Sequence, residues 1–229
     1  MKSPKKKIII LGGCGYIGTI LSQYLLDKGF HIKVIDRQIY GNFLNKSQHI
    51  QILNKDIRKI TYKDFVGFNY IIHLANIAND PSVELHPSLS WDINVLATDR
   101  ICRAAIKAKV KKIVFASSGS VYGIKKDRNV VEELELKPIS VYNKTKMIAE
   151  RILLSYRKEI DIVCIRPATV CGISKRLRLD VSVNMLTYQA YKKKKITVLG
   201  GKQIRPNIHI KDLVRVFYFS LKKKIPDHI

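Results

Sequence analysis

Three side chains offer chemistry in this sequence: the hydroxyl of Ser118, the phenol of Tyr142 and the amine of Lys146. Tyr142 and Lys146 are four residues apart, the spacing that stacks two side chains on one face of a helix. A free tyrosine ionises near pH ~10, too high for a base at neutrality. A neighbouring ammonium and a bound cationic cofactor ring both favour the phenolate, which then accepts a proton from an alcohol. Ser118 closes a strand-like run and can orient that alcohol. Alone, a Tyr-x-x-x-Lys spacing is usually surface decoration. Here it follows the strand that delivers Ser117 and Ser118, in a chain whose ligand is expected across the strand ends.

The cofactor is signalled where the chain begins. Ile8, Ile9, Ile10 and Leu11 read as a buried strand, Gly12 to Gly18 as a tight turn, and residues 19–26 as a helix. Strand, turn and helix together aim backbone N–H groups and a positive helix end at a pyrophosphate. Gly12 and Gly15 let it approach, and Gly18 lets the helix pack on the strand. Asp36, after a second strand at 31–35, is placed to accept both hydroxyls of an adenosine ribose and to repel a 2′-phosphate. NAD is therefore preferred over NADP, although Arg37 beside it works the other way. Asp56 follows a strand at 49–53 and reads either as a partner for the adenine amino group or as a loop cap. Leu74 and Ala75 end a strand at 69–74, where small residues let a dinucleotide pass. Cys14, within the turn, reads as a tolerated small side chain.

The remaining pattern alternates. A loop at 77–87 precedes a helix at 88–109, a strand at 112–116, a helix at 141–157 and a strand at 160–165. This predicts an α/β fold with a Rossmann-like, doubly wound parallel sheet. Beyond Arg166-Pro167 the pattern loosens into a helix at 180–195, strands at 196–199 and 208–210, and a helix at 212–221. Residues 1–167 thus read as an NAD-binding domain. Residues 168–229 read as a small, incomplete C-terminal substrate-binding region, with 196–221 returning to the core.

Composition narrows the classes. A chain of 229 residues can bury one substantial core, and 46% hydrophobic with 26% charged residues is ordinary for a soluble protein. No apolar run approaches the ~18 residues of a membrane span. The lysine-rich start mimics a leader, but its apolar run ends after four residues at the glycines, so a cytoplasmic protein is expected. Four cysteines without paired spacing and six scattered histidines predict no metal. The net charge of +24 is unusual, yet its lysine runs carry no interleaved aromatics to stack on bases. They read as solvated surface with a general attraction for a nucleotide-linked substrate rather than as a nucleic-acid platform.

Taken together, the motifs make the chain resemble the extended short-chain dehydrogenase/reductase family, in its nucleotide-sugar epimerase/dehydratase branch. The matching pieces are Gly12-x-x-Gly15-x-x-Gly18, Asp36, Asp56-Ile57, His73-Leu74-Ala75, Asn94-Val95, Ser117-Ser118-x-x-Val121-Tyr122-Gly123, Tyr142-x-x-x-Lys146, Ile165-Arg166-Pro167 and Arg205-Pro206-x-Ile208-His209-Ile210-x-Asp212. They keep the family's order over nearly the whole chain. The resemblance implies tightly held NAD, with Tyr142 taking a proton from a sugar hydroxyl, usually at C4. It implies that Lys146 binds the nicotinamide ribose and lowers the tyrosine's pKa, and that Ser118 and Ser120 meet the sugar. Tyr16, Ile17, Arg37, Ile57, Asn94, Ser117 and Pro167 join the implied cofactor contacts. Asn184 and Arg205 match positions that contact the nucleotide diphosphate, Asn184 reading equally well as a helix-surface amide. A homodimer through helices 88–109 and 141–157 is also implied.

Three features depart from the resemblance. Gly119-Ser120 stands where dehydratases carry an Asp-Glu pair, Thr169 stands where many epimerases carry Asn, and relatives usually run longer. The chain then reads as a fragment, a truncated gene or a shortened form. The expectation is an NAD-dependent nucleotide-sugar C4 epimerase. A 4,6-dehydratase or 4-ketoreductase is the alternative within the branch, and a non-catalytic dinucleotide sensor or RNA-binding relative is the alternative outside it.

Overall fold

Strand β1 (Lys7–Leu11) shows why the centre of the molecule carries no alternation of polar and apolar residues. Ile9 and Leu11 point into one apolar layer, Ile8 and Ile10 into the other, and all four are fully buried. A parallel strand covered on both faces needs apolar side chains at every position. The structure, a computed structural model, describes residues 6–127 and 129–229. The leader-like stretch 1–5 lies outside the described residues.

Five further strands complete the sheet: β2 (His31–Asp36), β3 (Ile50–Asn54), β4 (Tyr70–His73), β5 (Lys112–Ala116) and β6 (Asp161–Ile165). All neighbours are parallel, in the order β3-β2-β1-β4-β5-β6. The helices are α1 (Tyr16–Asp27), α2 (Asp80–Leu85), α3 (Pro87–Trp91), α4 (Ala97–Lys107), α5 (Val141–Ser155), α6 (Ser182–Lys193) and α7 (Ile210–Lys222). Leu21 and Leu25 of α1, with Leu213 and Phe217 of α7, cover one face of the sheet. Ile101 and Ala105 of α4, with Ala149 and Leu153 of α5, cover the other. The α/β, Rossmann-like doubly wound architecture is therefore present. The strand order reverses between β1 and β4, so the connections leave to opposite faces and a crevice opens at the carboxyl ends of these strands. Among the described residues no helix is long and apolar enough to cross a membrane.

Four segments differ from the sequence expectations. The loop expected at 77–87 contains α2 and the start of α3. Asn79 caps α2 by accepting from Ser82 N at 2.9 Å, and prolines occupy the first turns of both helices. The single helix expected at 88–109 is divided into α3, a π-turn at Asp92–Leu96 and α4. A strand missed after Arg166-Pro167, β7 (Thr169–Cys171), pairs with β8 (Asn207–His209) in a separate two-stranded parallel sheet. The strand expected at 196–199 does not form. Ile196, Val198 and Leu199 are exposed, and a β-rich sequence without a partner edge or a surface to cover gains nothing from extension. Within 196–221, residues 196–206 stay exposed and α7 supplies the packing.

Candidate active site

A cavity of about 720 Å³ occupies the crevice between the glycine turn and the amino end of α5. Gly12 has φ +82°, and a Cβ there would lie 2.6 Å from Ala75 N. A Cβ on Gly18 would lie 2.5 Å from Gly12 O. The backbone thus occupies the space that side chains would take, and the turn with Tyr16 and Ile17 lines the cavity. Leu74, Ala75, Ser117 and Pro167 line it from the neighbouring strand ends. Replacing Gly12 by Ala is expected to cost about 1–3 kcal/mol in backbone strain alone. The clash with Ala75 adds to that, so both thermal stability and NAD retained through purification should fall.

Asp36 ends β2 on the cavity wall. Its two carboxylate oxygens accept from Cys14 N at 3.0 Å and Gln38 N at 2.6 Å, which fixes the group and leaves lone pairs for ribose hydroxyls. Arg37 turns away from it to Asp56, 3.1 Å distant. Asp56 and Ile57 also line the cavity. The Asp56 carboxylate caps its own turn through Arg58 N at 2.9 Å and pairs with the guanidinium groups of Arg58 and Arg37. Hydrogen bonds from Arg58 come first among the causes that hold it well below the usual carboxylate range. Asp56 thus caps its loop while lining the cavity. Cys14 is buried, and burial first, then Asp36, pushes its thiol up to about 12.

At the other end, Ser118, Ser120, Tyr142, Asn143 and Lys146 meet on one wall. Ser118 caps a short 3-10 turn, Gly119–Tyr122, by accepting from Ser120 N at 3.2 Å. Its hydroxyl lies 2.7 Å from Ser120 Oγ, which donates to Asn143 Oδ1 at 2.5 Å. Ser140 caps α5 and so sets where Tyr142 emerges. The helix is held deeper in by Arg166, whose guanidinium grips Glu150 and also donates to Tyr122 Oη at 2.8 Å. Arg166 and Glu150 side chains are only 7% and 2% exposed.

Lys146 is held close against the sheet. Its amine donates to Ala116 O at 2.5 Å and lies 4.5 Å from the centre of the Phe115 ring. Burial pushes it down to about 7, against the pull of Glu150. The Tyr142 phenol is pushed up to about 12, chiefly by burial and further by Asp80; Arg178 and a hydrogen bond with Ser118 pull it back. Lys146 rests on the end of β5, and Arg178 is among the charges that draw the phenol down.

Three residues expected at the ligand lie elsewhere. Asn94 sits in the π-turn, fully buried, and grips the backbone of Ile77: Oδ1 accepts from Ile77 N at 2.8 Å and Nδ2 donates to Ile77 O at 3.2 Å. It places the cavity-lining segment that follows β4 without lining the cavity itself. Asn184 does not line the cavity, and its amide is not free on the helix surface. Oδ1 accepts from Gly172 N, and Nδ2 donates to Tyr16 Oη and to Arg178 O. Arg205 lies on the exposed 196–206 segment, outside the cavity wall. The wall instead includes Arg178, Asp180, Asn79 and Asp80, which sequence reasoning missed. One signal was present: in Arg176-Leu-Arg178-Leu-Asp180 the charged residues alternate, which puts them on one side of an extended segment.

The glycine cradle and the fixed Asp36 carboxylate fit a dinucleotide, and the Ser118–Tyr142 wall faces the same space. Fold and site define an NAD-dependent enzyme of the short-chain dehydrogenase/reductase type. The chain belongs to the NAD dependent epimerase/dehydratase family, whose pattern it matches over residues 8–229. It is 32% identical to an uncharacterized UDP-glucose epimerase of Bacillus subtilis, over 91% of this chain and 70% of that protein. It is 29% identical to the bifunctional UDP-glucose 4-epimerase and UDP-xylose 4-epimerase 1 of Pisum sativum, over 97% of this chain and 73% of that protein. Among solved structures, the UDP-glucuronic acid 4-epimerase of Bacillus cereus, in complex with UDP-glucuronic acid and NAD, superposes with a TM-score of 0.86. That enzyme is 30% identical, with 96% of this chain and 74% of that one covered.

Proposed function

We propose that the chain is a nucleotide-sugar 4-epimerase. The observation that carries this reading is the convergence of Ser118 and Tyr142 on one wall of the cavity whose far end is the Gly12–Gly18 turn. The named activities of the relatives support it. When bound, NAD supplies a two-electron acceptor that takes hydrogen from C4 of the sugar and returns it. Tyr142 removes the proton of the C4 hydroxyl, leaving a carbonyl, and later gives a proton back to that oxygen. Ser118 holds the oxygen in place by hydrogen bonding. The glycine turn would hold the pyrophosphate, Asp36 the adenosine ribose and Lys146 the nicotinamide ribose. The sugar carbonyl must turn over within the cavity before it is reduced on its other face.

Incubation with a panel of nucleotide sugars, followed by NMR and mass spectrometry, tests this. The expected result is interconversion of two C4 epimers to one ratio from either side, with no net NADH. Accumulating NADH, or a product lighter by one water, would replace the reading. The second outcome has one structural observation in its favour: Asp80 lines the cavity, and its Oδ1 is buried without a hydrogen-bond partner among the described residues. An acid is thus present although Gly119-Ser120 lacks one, and a dehydratase would use it. In that case Asp80→Asn should abolish water loss while leaving bound NAD in place.

The same proposal includes a homodimer through the α3–α4 and α5 faces, supported by exposed Trp91 and Leu96, with sedimentation as its check. It also includes a cytoplasmic location, supported by four unpaired cysteines.

A further inference from the structure

The segment that follows β7 runs as a single layer of chain along the cavity. Its side chains alternate. Ile173, Lys175, Leu177 and Leu179 are exposed, Ser174 is buried, and Arg176 and Arg178 are half-buried and line the cavity. An extended chain shows this period of two when one side faces solvent and the other faces inward. One margin of the layer is fastened to the start of α1. Tyr16 Oη donates to Gly172 O at 2.7 Å, and Ser174 Oγ donates to Tyr16 O at 3.0 Å. Asn184 Nδ2 donates to Arg178 O at 2.9 Å, so α6 holds the same stretch. Toward α2, Arg178 grips Asp180, whose Oδ2 accepts from Asn79 Nδ2 at 2.8 Å.

The opposite margin is fastened differently. The Arg176 guanidinium lies 3.9 Å from the centre of the Tyr40 ring, and Lys175 Nζ donates to Asn45 Oδ1 at 2.7 Å. Both partners belong to the loop that follows Asp36. Tyr40 is 63% exposed, and Lys175 and Asn45 are exposed as well. Contacts of this kind are weak in water. Tyr16 and Ser174, at the first margin, are both buried. The layer therefore has a firm edge and a weak edge. The firm edge adjoins the glycine turn and the weak edge adjoins Asp36, the features that would hold the pyrophosphate and the adenosine ribose of NAD. A layer of chain joined to both is a cover for that half of the cofactor.

We infer that residues 172–178 are a strap over bound NAD, latched by the stack of Arg176 on Tyr40, and that opening this latch sets how fast the cofactor enters and leaves. The inference rests on the NAD site and not on the choice of sugar. The latch is made between two protein groups, so it breaks for entry and for exit alike. Its strength changes both rates and leaves the affinity where the cofactor's own contacts put it. Slow exchange keeps one cofactor molecule in place through successive turnovers.

The test follows exchange of bound NAD for isotope-labelled NAD by mass spectrometry, with the dissociation constant measured separately by equilibrium dialysis. Tyr40→Ala should speed exchange about two- to fivefold, the factor that corresponds to an exposed cation–π contact, with the dissociation constant unchanged. Tyr40→Phe keeps the ring face and should exchange at the parent's rate. Arg176→Ala should match Tyr40→Ala. The double variant should exchange no faster than either single one, because the same contact is lost only once. Exchange in Tyr40→Ala at the parent's rate, or additive effects in the double variant, would overturn the inference. So would faster release matched by an equal loss of affinity, which would make the altered side chain a direct contact of the cofactor instead. Neither side chain belongs to the apolar core. Tyr40→Ala against Tyr40→Phe decides the matter even if Arg176→Ala does not fold.

Discussion

Replacing Tyr142 by Phe is expected to lower kcat by about 100- to 10,000-fold, the range typical of a removed general acid–base group. The substitution keeps the ring on the cavity wall and removes one oxygen. The ring is set by the Ser140 cap of α5, and the helix by Glu150 and Arg166, so neither folding nor NAD retention should change. Only the group that accepts the sugar proton is lost. Comparing kcat with KM and with bound NAD separates this from misplacement, because a displaced helix would weaken all three. A variant turning over within about threefold of the parent would remove Tyr142 from the chemistry.

The second large effect concerns stability. Glu150→Ala should lower unfolding free energy by about 3–5 kcal/mol, because it leaves a buried guanidinium without its carboxylate. Three hydrogen bonds from Arg166 to the Glu150 oxygens, at 2.8 to 3.2 Å, are lost together, and with them the order they impose between α5 and the end of β6. A domain stable by about 5–15 kcal/mol would lose a large part of that. Urea unfolding should show a lower midpoint at an unchanged slope. Replacing both partners by apolar residues of similar volume should recover most of the loss, since no charge is then left buried. If Glu150→Ala unfolds at the parent's midpoint, the pair contributes nothing and α5 is held by packing alone.

Both predictions concern α5, and its two candidate site residues differ in how far sequence could take them. That Tyr142 and Lys146 share a helix face follows from a spacing of four. That the lysine amine turns to Ala116 O depends on β5 packing beneath it. The same division runs through the rest of the molecule. The four-residue apolar run of β1 and the glycines after it are local patterns, and the turn formed where they placed it. The fragment at 196–199 has an equally β-rich composition yet formed no strand, because composition cannot say whether a partner edge exists.

Residues expected at the ligand by motif position show the limit most clearly. Asn94 and Asn184 occur where matched motifs put them, yet both are spent on protein groups: Ile77 and the Thr145 hydroxyl for the first, Gly172 and Arg178 for the second. Their partners lie 17 and 51 residues away for Asn94 and 12 and 6 for Asn184, with Tyr16 a further partner of Asn184 at 168.

The sequence by itself determined the alternating parallel fold, the dinucleotide turn and the helix face that Tyr142 and Lys146 share. Each is written in spacing along a few residues, where backbone geometry alone decides which side chains lie together. The tertiary structure decided what those groups feel. It turned Lys146 inward, left Arg205 in solvent, and brought Arg178 and Asp80 from distant segments to the cavity that Tyr142 also lines. Burial and charge act through space, and the separation of Asn79 from Asp180 by 101 residues has no local pattern that would announce it.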